Sequence, residues 1–159
     1  MATKQVFQTK ITDTWTNAAD GDPLGDIRWQ GGKCYKCIKF DNGAGNIASV
    51  AGVMAEYKGS DGHANSLVTL DTTDGKKLAA GIFQAVIADL DRGWIQIKGN
   101  ATMSVAIIGS TSDGDPLTLE GATADTGDLD LSAAVTDHVC AYADSEAGSS
   151  PTIVLDCPF

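Results

Sequence analysis

The sequence predicts an all-β fold, a sandwich or barrel of short antiparallel strands with an extended N-terminal arm. Three observations carry that expectation. The apolar runs are strand-sized and lie between turn-forming clusters, with turn signals about every 8–12 residues as in sandwiches and barrels. The 159 residues include 18 glycines, which is hostile to long helices. Apolar and polar residues also alternate in the clearest stretches, as in Ile95-Gln96-Ile97-Lys98.

Each element follows from the same signals. Val6, Phe7, Thr9, Ile11, Thr12 and Thr14 give the stretch from Ala2 to Trp15 an extended character, and Ala18 to Pro23 ends it as a turn. Leu24 to Gln30 and Lys33 to Phe40 read as a hairpin around Gly31-Gly32. Asp41 to Gly45 is a second turn, and Ile47 to Tyr57 is a strand candidate broken by Gly52. Asp61-Gly62-His63 closes that segment before a strand at Leu67 to Leu70. Lys77 to Leu90 has an Ala-rich composition that tolerates helix, but Gly81 inside it favours a strand. Trp94-Ile97 and Ala101-Ile107 read as hairpin arms joined by Gly99-Asn100, with Ile95 and Ile97 facing one way and Gln96 and Lys98 the other. Short strands follow at Leu117-Leu119, around Leu129 and Leu131, at His138-Tyr142 and at Thr152-Cys157. Asp20-Gly21-Asp22-Pro23-Leu24 recurs as Asp113-Gly114-Asp115-Pro116-Leu117, which reads as a reused way to start a strand. The domain reading is an arm over residues 1–19 and one β-rich domain over 20–159, with a division into two lobes near residue 110 left open.

Charge is unevenly spread. Residues 1–98 hold all 11 Lys and Arg and 11 of the 21 acids, whereas residues 99–159 hold the other 10 acids and no base. A base-free acidic half repels phosphate and argues against nucleic acid as a partner. No run of 18 or more apolar residues suggests a membrane span, and Met1 to Val6 lacks the apolar core of a secretory signal, so synthesis in a cytosol is expected.

Chemistry-bearing motifs are sparse. Neither a Gly-x-Ser-x-Gly elbow nor a His-Glu-x-x-His zinc motif occurs, and His63 and His138 have no nucleophile context, so no catalytic residue is expected. Gly43-Ala44-Gly45-Asn46-Ile47-Ala48 matches a dinucleotide fingerprint, but the run after it makes a poor phosphate-capping helix and the motif reads as a turn. Cys34, Cys37, Cys140 and Cys157 could form a four-thiolate zinc site. Cys34 and Cys37 would point to opposite strand faces, however, and the second pair lacks knuckle spacing, so buried thiols are favoured and no cofactor or metal is expected. Asp113, Asp115, Asp125, Asp128 and Asp130 do not fit a calcium loop. Pairing Tyr142 with Leu155 would set Cys140 opposite Cys157, where a disulfide could form outside the cell.

Several runs together carry a resemblance. Pro23-Leu24-Gly25-Asp26-Ile27, Gly31-Gly32-Lys33-Cys34-Tyr35-Lys36, Gly81-Ile82-Phe83-Gln84-Ala85 and Arg92 to Gly99 resemble tailed-bacteriophage head decoration (cement) proteins. Gly114 to Leu117, Asp137 to Ala143 and Thr152 to Leu155 follow in the same order. Cys34 and Cys37 stand where aliphatic or aromatic residues would be expected. The resemblance implies a β-rich virion protein on the outer capsid surface, bound to the major capsid protein and to itself, with a trimer by analogy, and no catalytic residues. A tail or fibre module that binds a host glycan is the alternative. The β-branched arm, with Lys4, Val6, Phe7 and Lys10 and no acid in its first twelve residues, is the candidate capsid contact through strand addition.

Overall fold

A computed structural model describes residues 6–119, 126–134, 136–144 and 150–158, the side chains of residues 76 and 77 excepted. The fold is nearly all β. Its strands are β1 (Ile27–Gln30), β2 (Lys33–Phe40), β3 (Met54–Lys58), β4 (Leu67–Thr69), β5 (Gly75–Phe83), β6 (Arg92–Thr102), β7 (Pro116–Leu119), β8 (Leu129–Leu131), β9 (Val139–Ala143) and β10 (Thr152–Asp156). A four-residue helix, α1 (Gly62–Asn65), stands where the sequence suggests only a turn.

Pairing closes part of the ten-stranded sheet into a ring. β2 pairs with β4, β4 with β3, β3 with β5, β5 with β6, and β6 returns to β2. This is a five-stranded barrel, with β1 added beside the first half of β2. The β2–β4 pair is parallel, so the sheet is mixed where antiparallel strands alone were expected. β3 and α1 supply the return connection that a parallel pair requires. β10, β9, β7 and β8 continue the sheet from the far half of β6, and the chain leaving β6 comes back beside β8 at an Ile108–Asp130 bridge. The barrel and this second curled sheet therefore share β6.

One hydrophobic core runs through both parts, from Phe40, Phe83 and Ile95 in the barrel to Leu117, Cys140 and Ile153 in the second sheet. A smaller cluster of Trp15, Tyr35, Cys37 and Trp94 lies on the outer face of β2 and β6. Strand alternation explains the division. Cys34 and Ile38 of β2 enter the main core, while Tyr35 and Cys37 point the other way. Phe7, Ile11 and Leu24 pack over the outer cluster, so both faces of the barrel wall are covered here.

Several local expectations are realised. Gln30 pairs with Lys33, and Gly31 and Gly32 have φ of 60° and 77°, the positive values a tight two-residue hairpin turn demands. Ile95 and Ile97 share the core face. Gln96, placed by the alternation toward solvent, is instead buried, with its amide donating to the carbonyls of Lys98, Gly99 and Asn100.

Other expectations are corrected. Gly99-Asn100 is no hairpin turn, because β6 runs straight through it and pairs Lys98 to Thr102 with β10. Gly99 is needed for a different reason: at φ 89° any Cβ would sit 2.9 Å from the Gly32 carbonyl oxygen. The strand expected over Ile47 to Tyr57 starts only at Met54, and the one expected over Lys77 to Leu90 ends at Phe83. In the first, Ser49 is committed to a loop contact, its hydroxyl donating to the Ile87 carbonyl and accepting from the Ile87 N–H. Residues 6–14 form no strand, and Trp15 makes only an isolated bridge to Arg92. The repeated Asp-Gly-Asp-Pro-Leu motif adopts two conformations. Gly114 has φ 86° and Pro116 opens β7, whereas Gly21 is extended and β1 begins only at Ile27.

Candidate interaction surfaces

The described part of the candidate arm, from Val6 onward, folds onto its own body. Asp22, from the first copy of the repeated motif, is buried and acts as a clamp. The Gln8 N–H donates to its Oδ1 at 3.0 Å, and the Thr9 N–H and hydroxyl donate to its Oδ2 at 3.0 and 2.5 Å. Thr9 Oγ1 also accepts from the Trp94 indole N–H at 2.9 Å. Phe7 meets Trp94 edge-on, and the Arg28 guanidinium lies over the Phe7 ring while donating to the Thr9 carbonyl. Of the four arm residues singled out from the sequence, Phe7 is thus occupied within the domain, Val6 and Lys10 are exposed, and Lys4 lies outside the described residues. Side-chain hydrogen bonds hold this segment where a strand ladder was expected.

A different surface offers an anchor. Among the described residues β1 pairs only with β2, and Trp29 in its middle is 63% exposed, in contrast to the buried Trp15 and Trp94. Trp29 sits opposite Cys34, one residue along from the Gln30–Lys33 pair that closes the hairpin turn. Because hydrogen-bonded pairs alternate along an antiparallel ladder, the Trp29 N–H and C=O point away from β2. An aromatic side chain and an outward backbone donor and acceptor therefore share one edge. Residues 1–98 hold every Lys and Arg of the chain, and residues 99–159 hold none. On the second sheet, Tyr142 and Val154 pair across β9 and β10 on the outer face and are both exposed.

The motifs set aside in the sequence have structural employment. Gly43 and Gly45 wrap the Asp71 carboxylate, which accepts from the Gly45 N–H at 2.7 Å and from the Thr73 hydroxyl at 2.5 Å. A Cβ at Gly43 would lie 2.4 Å from that carboxylate. The Thr73 hydroxyl first, and the Gly45 N–H next, hold Asp71 below the usual carboxylate range. Asp41 is held low chiefly by its 2.6 Å bond from Lys58. His63 stacks edge-on with Tyr57. Among the described residues no three His, Cys, Asp or Glu side chains gather as metal ligands; Asp125 of the aspartate group lies outside them. Among the same residues no helix is long and apolar enough to cross a membrane.

One buried feature escapes the sequence. Lys36 is turned into the main core, where its ammonium donates to the Tyr57 hydroxyl at 3.1 Å. Burial pushes Lys36 down and Tyr57 up from their ordinary pKa values. A lysine among Cys34, Ile38 and Phe40 carries no signal of its direction except strand alternation. The cysteines are buried, as the sequence favours, and all four are free. Burial pushes the Cys37 thiol up to about 12, and the thiol donates to the Asp22 carbonyl at 3.5 Å.

No protein-family model, curated protein or solved structure matches this chain.

Proposed function

We propose that the chain is a structural virion protein that binds the outer surface of a tailed-phage capsid and stabilises the shell, with the major capsid protein and further copies of itself as partners. The observation that carries this reading is the partition of charge across one β body. Residues 1–98 hold all the basic residues and the exposed Trp29 edge, while the 61 residues after Lys98 are acidic and base-free. An edge with an aromatic anchor suits attachment. A uniformly acidic half suits the outward side, where it discourages particles from sticking together. The order of motifs shared with head decoration proteins supports the same reading.

The test is co-sedimentation of the purified chain with undecorated mature shells. Saturable binding at a fixed ratio to the shell protein is expected, and Trp29→Ala should weaken it at least tenfold while leaving stability within about 0.5 kcal/mol, as for a surface substitution. Failure of the unmodified chain to bind shells under any condition of salt or pH rejects the function. The exposed Trp29 also favours a second reading, a tail or fibre module that stacks a host glycan on the indole. That reading requires a chain that does not self-associate, is retained on glycan in a Trp29-dependent manner, and ignores shells.

A further inference from the structure

Sequence reasoning places Cys140 opposite Cys157 by pairing Tyr142 with Leu155. The ladder is one residue different. Tyr142 pairs with Val154 and Ala141 with Leu155, a register that carries Cys140 to a position opposite Asp156. Without further adjustment Cys140 would share the outward face of Tyr142, away from Cys157.

A β-bulge reverses that outcome. On the other side of β9, Ala141 faces Leu117 and Val139 faces Thr118, so Cys140 is the extra residue between them. A bulge re-aims its side chain. Cys140 is fully buried, and its thiol donates to the Leu117 carbonyl at 3.6 Å. Cys157, just beyond β10, is 1% exposed and donates to the Cys140 carbonyl at 3.7 Å, so its sulfur lies directly against the Cys140 backbone. The Cys157 N–H is anchored to the Ile97 carbonyl at 3.0 Å, which ties this corner to the shared strand β6. Cys34 and Cys37 are on opposite faces of β2 and cannot join each other.

We propose that Cys140 and Cys157 are a latent cross-strand lock, reduced in the cytosol and oxidised to a disulfide once the particle meets oxidising surroundings. With a peroxide as the two-electron oxidant, one sulfur attacks the peroxide oxygen, the O–O bond breaks and a sulfenic acid forms with release of water. The other sulfur then displaces that oxygen as a second water and the S–S bond closes. Two thiols and one hydrogen peroxide thus give one disulfide and two waters. The Cys140 thiol and burial both hold Cys157 protonated, so the closed protein reacts slowly. Oxidation proceeds through opening of the corner formed by the end of β10 and the β9 bulge. The lock fastens the last strand, which joins the second sheet to the barrel.

The whole folded chain is treated with hydrogen peroxide in native buffer, then unfolded, alkylated and peptide-mapped without reduction. One disulfide joining Cys140 to Cys157, with Cys34 and Cys37 alkylated, is expected, together with a rise in Tm of about 6–12 °C. Urea well below the unfolding midpoint should accelerate the reaction, and the Tm rise should be missing from both Cys140→Ala and Cys157→Ala. Four alkylated thiols after prolonged oxidation, a bridge that includes Cys34 or Cys37, or an unchanged or lowered Tm on bridging would each overturn the lock. None of these outcomes depends on shell binding.

Discussion

Asp22→Asn tests how the N-terminal segment is held, because it preserves shape while removing charge and one acceptor. The carboxylate accepts three hydrogen bonds: Gln8 N–H on Oδ1, and Thr9 N–H and hydroxyl on Oδ2. An asparagine replaces one carboxylate oxygen with its single amide oxygen but presents an NH2 group to the donors at the other position. In either amide orientation at least one charge-assisted bond disappears and the remainder become neutral. With Oδ1 of the asparagine toward Gln8, both Thr9 bonds are lost at about 1.5 kcal/mol each, or about 3 kcal/mol in total. That corresponds to a fall in Tm of roughly 6–12 °C for a chain of this size. The cost is limited by the free energy of docking the segment, since Gln8 and Thr9 can recover water by peeling away. Amide hydrogen exchange resolves the two: protection at Gln8 and Thr9 should collapse while protection in β6 declines only with global stability. Freed of its cover, Trp94 should also emit at longer wavelength. A variant within 0.5 kcal/mol of the original, with unchanged protection at Gln8 and Thr9, would refute the clamp.

Ile97→Ala should cost about 2–5 kcal/mol in a urea melt, since Ile97 is fully buried where the barrel meets the second sheet; a loss under 0.5 kcal/mol would show that the site collapses without a cavity. The carboxylates of Asp41 and Asp71 contribute stability that is lost in the acid range. Their folded pKa values are depressed, so their contribution is fully present above the unfolded value of about 4 and disappears as pH falls through the lower folded values. Thermal melts should therefore decline below about pH 4, and Asp71→Asn should be less stable at neutral pH with a shallower acid slope; an acid slope unchanged by that substitution would remove Asp71 from the linkage.

Short-range physics made much of this fold legible. The Gly31-Gly32 hairpin could be read because two glycines readily supply the positive φ values of so tight a reversal between β1 and β2. Alternation placed Ile95 with Ile97 and separated Cys34 from Cys37, because successive strand side chains point to opposite faces. The same rule gave Gln96 the wrong surroundings. It assigns a face but says nothing about what satisfies a polar side chain there, and here the carbonyls of Lys98, Gly99 and Asn100 on the same strand do. Gly99-Asn100 has the composition of a turn, yet long-range pairing with β10 keeps β6 continuous and uses the glycine for a close backbone approach.

The candidate surfaces divide in the same way. The sequence by itself determined the all-β character, the confinement of basic residues to the first 98 positions and the identity of the four thiols. Tertiary structure alone decided that Phe7 is occupied, that Trp29 is the exposed tryptophan and that Cys140 turns inward beside Cys157. Composition and local periodicity depend on neighbours along the chain. Register, bulges and the covering of a sheet face depend on residues such as Thr9 and Trp94, 85 positions apart, whose contact exists only after the chain has closed on itself.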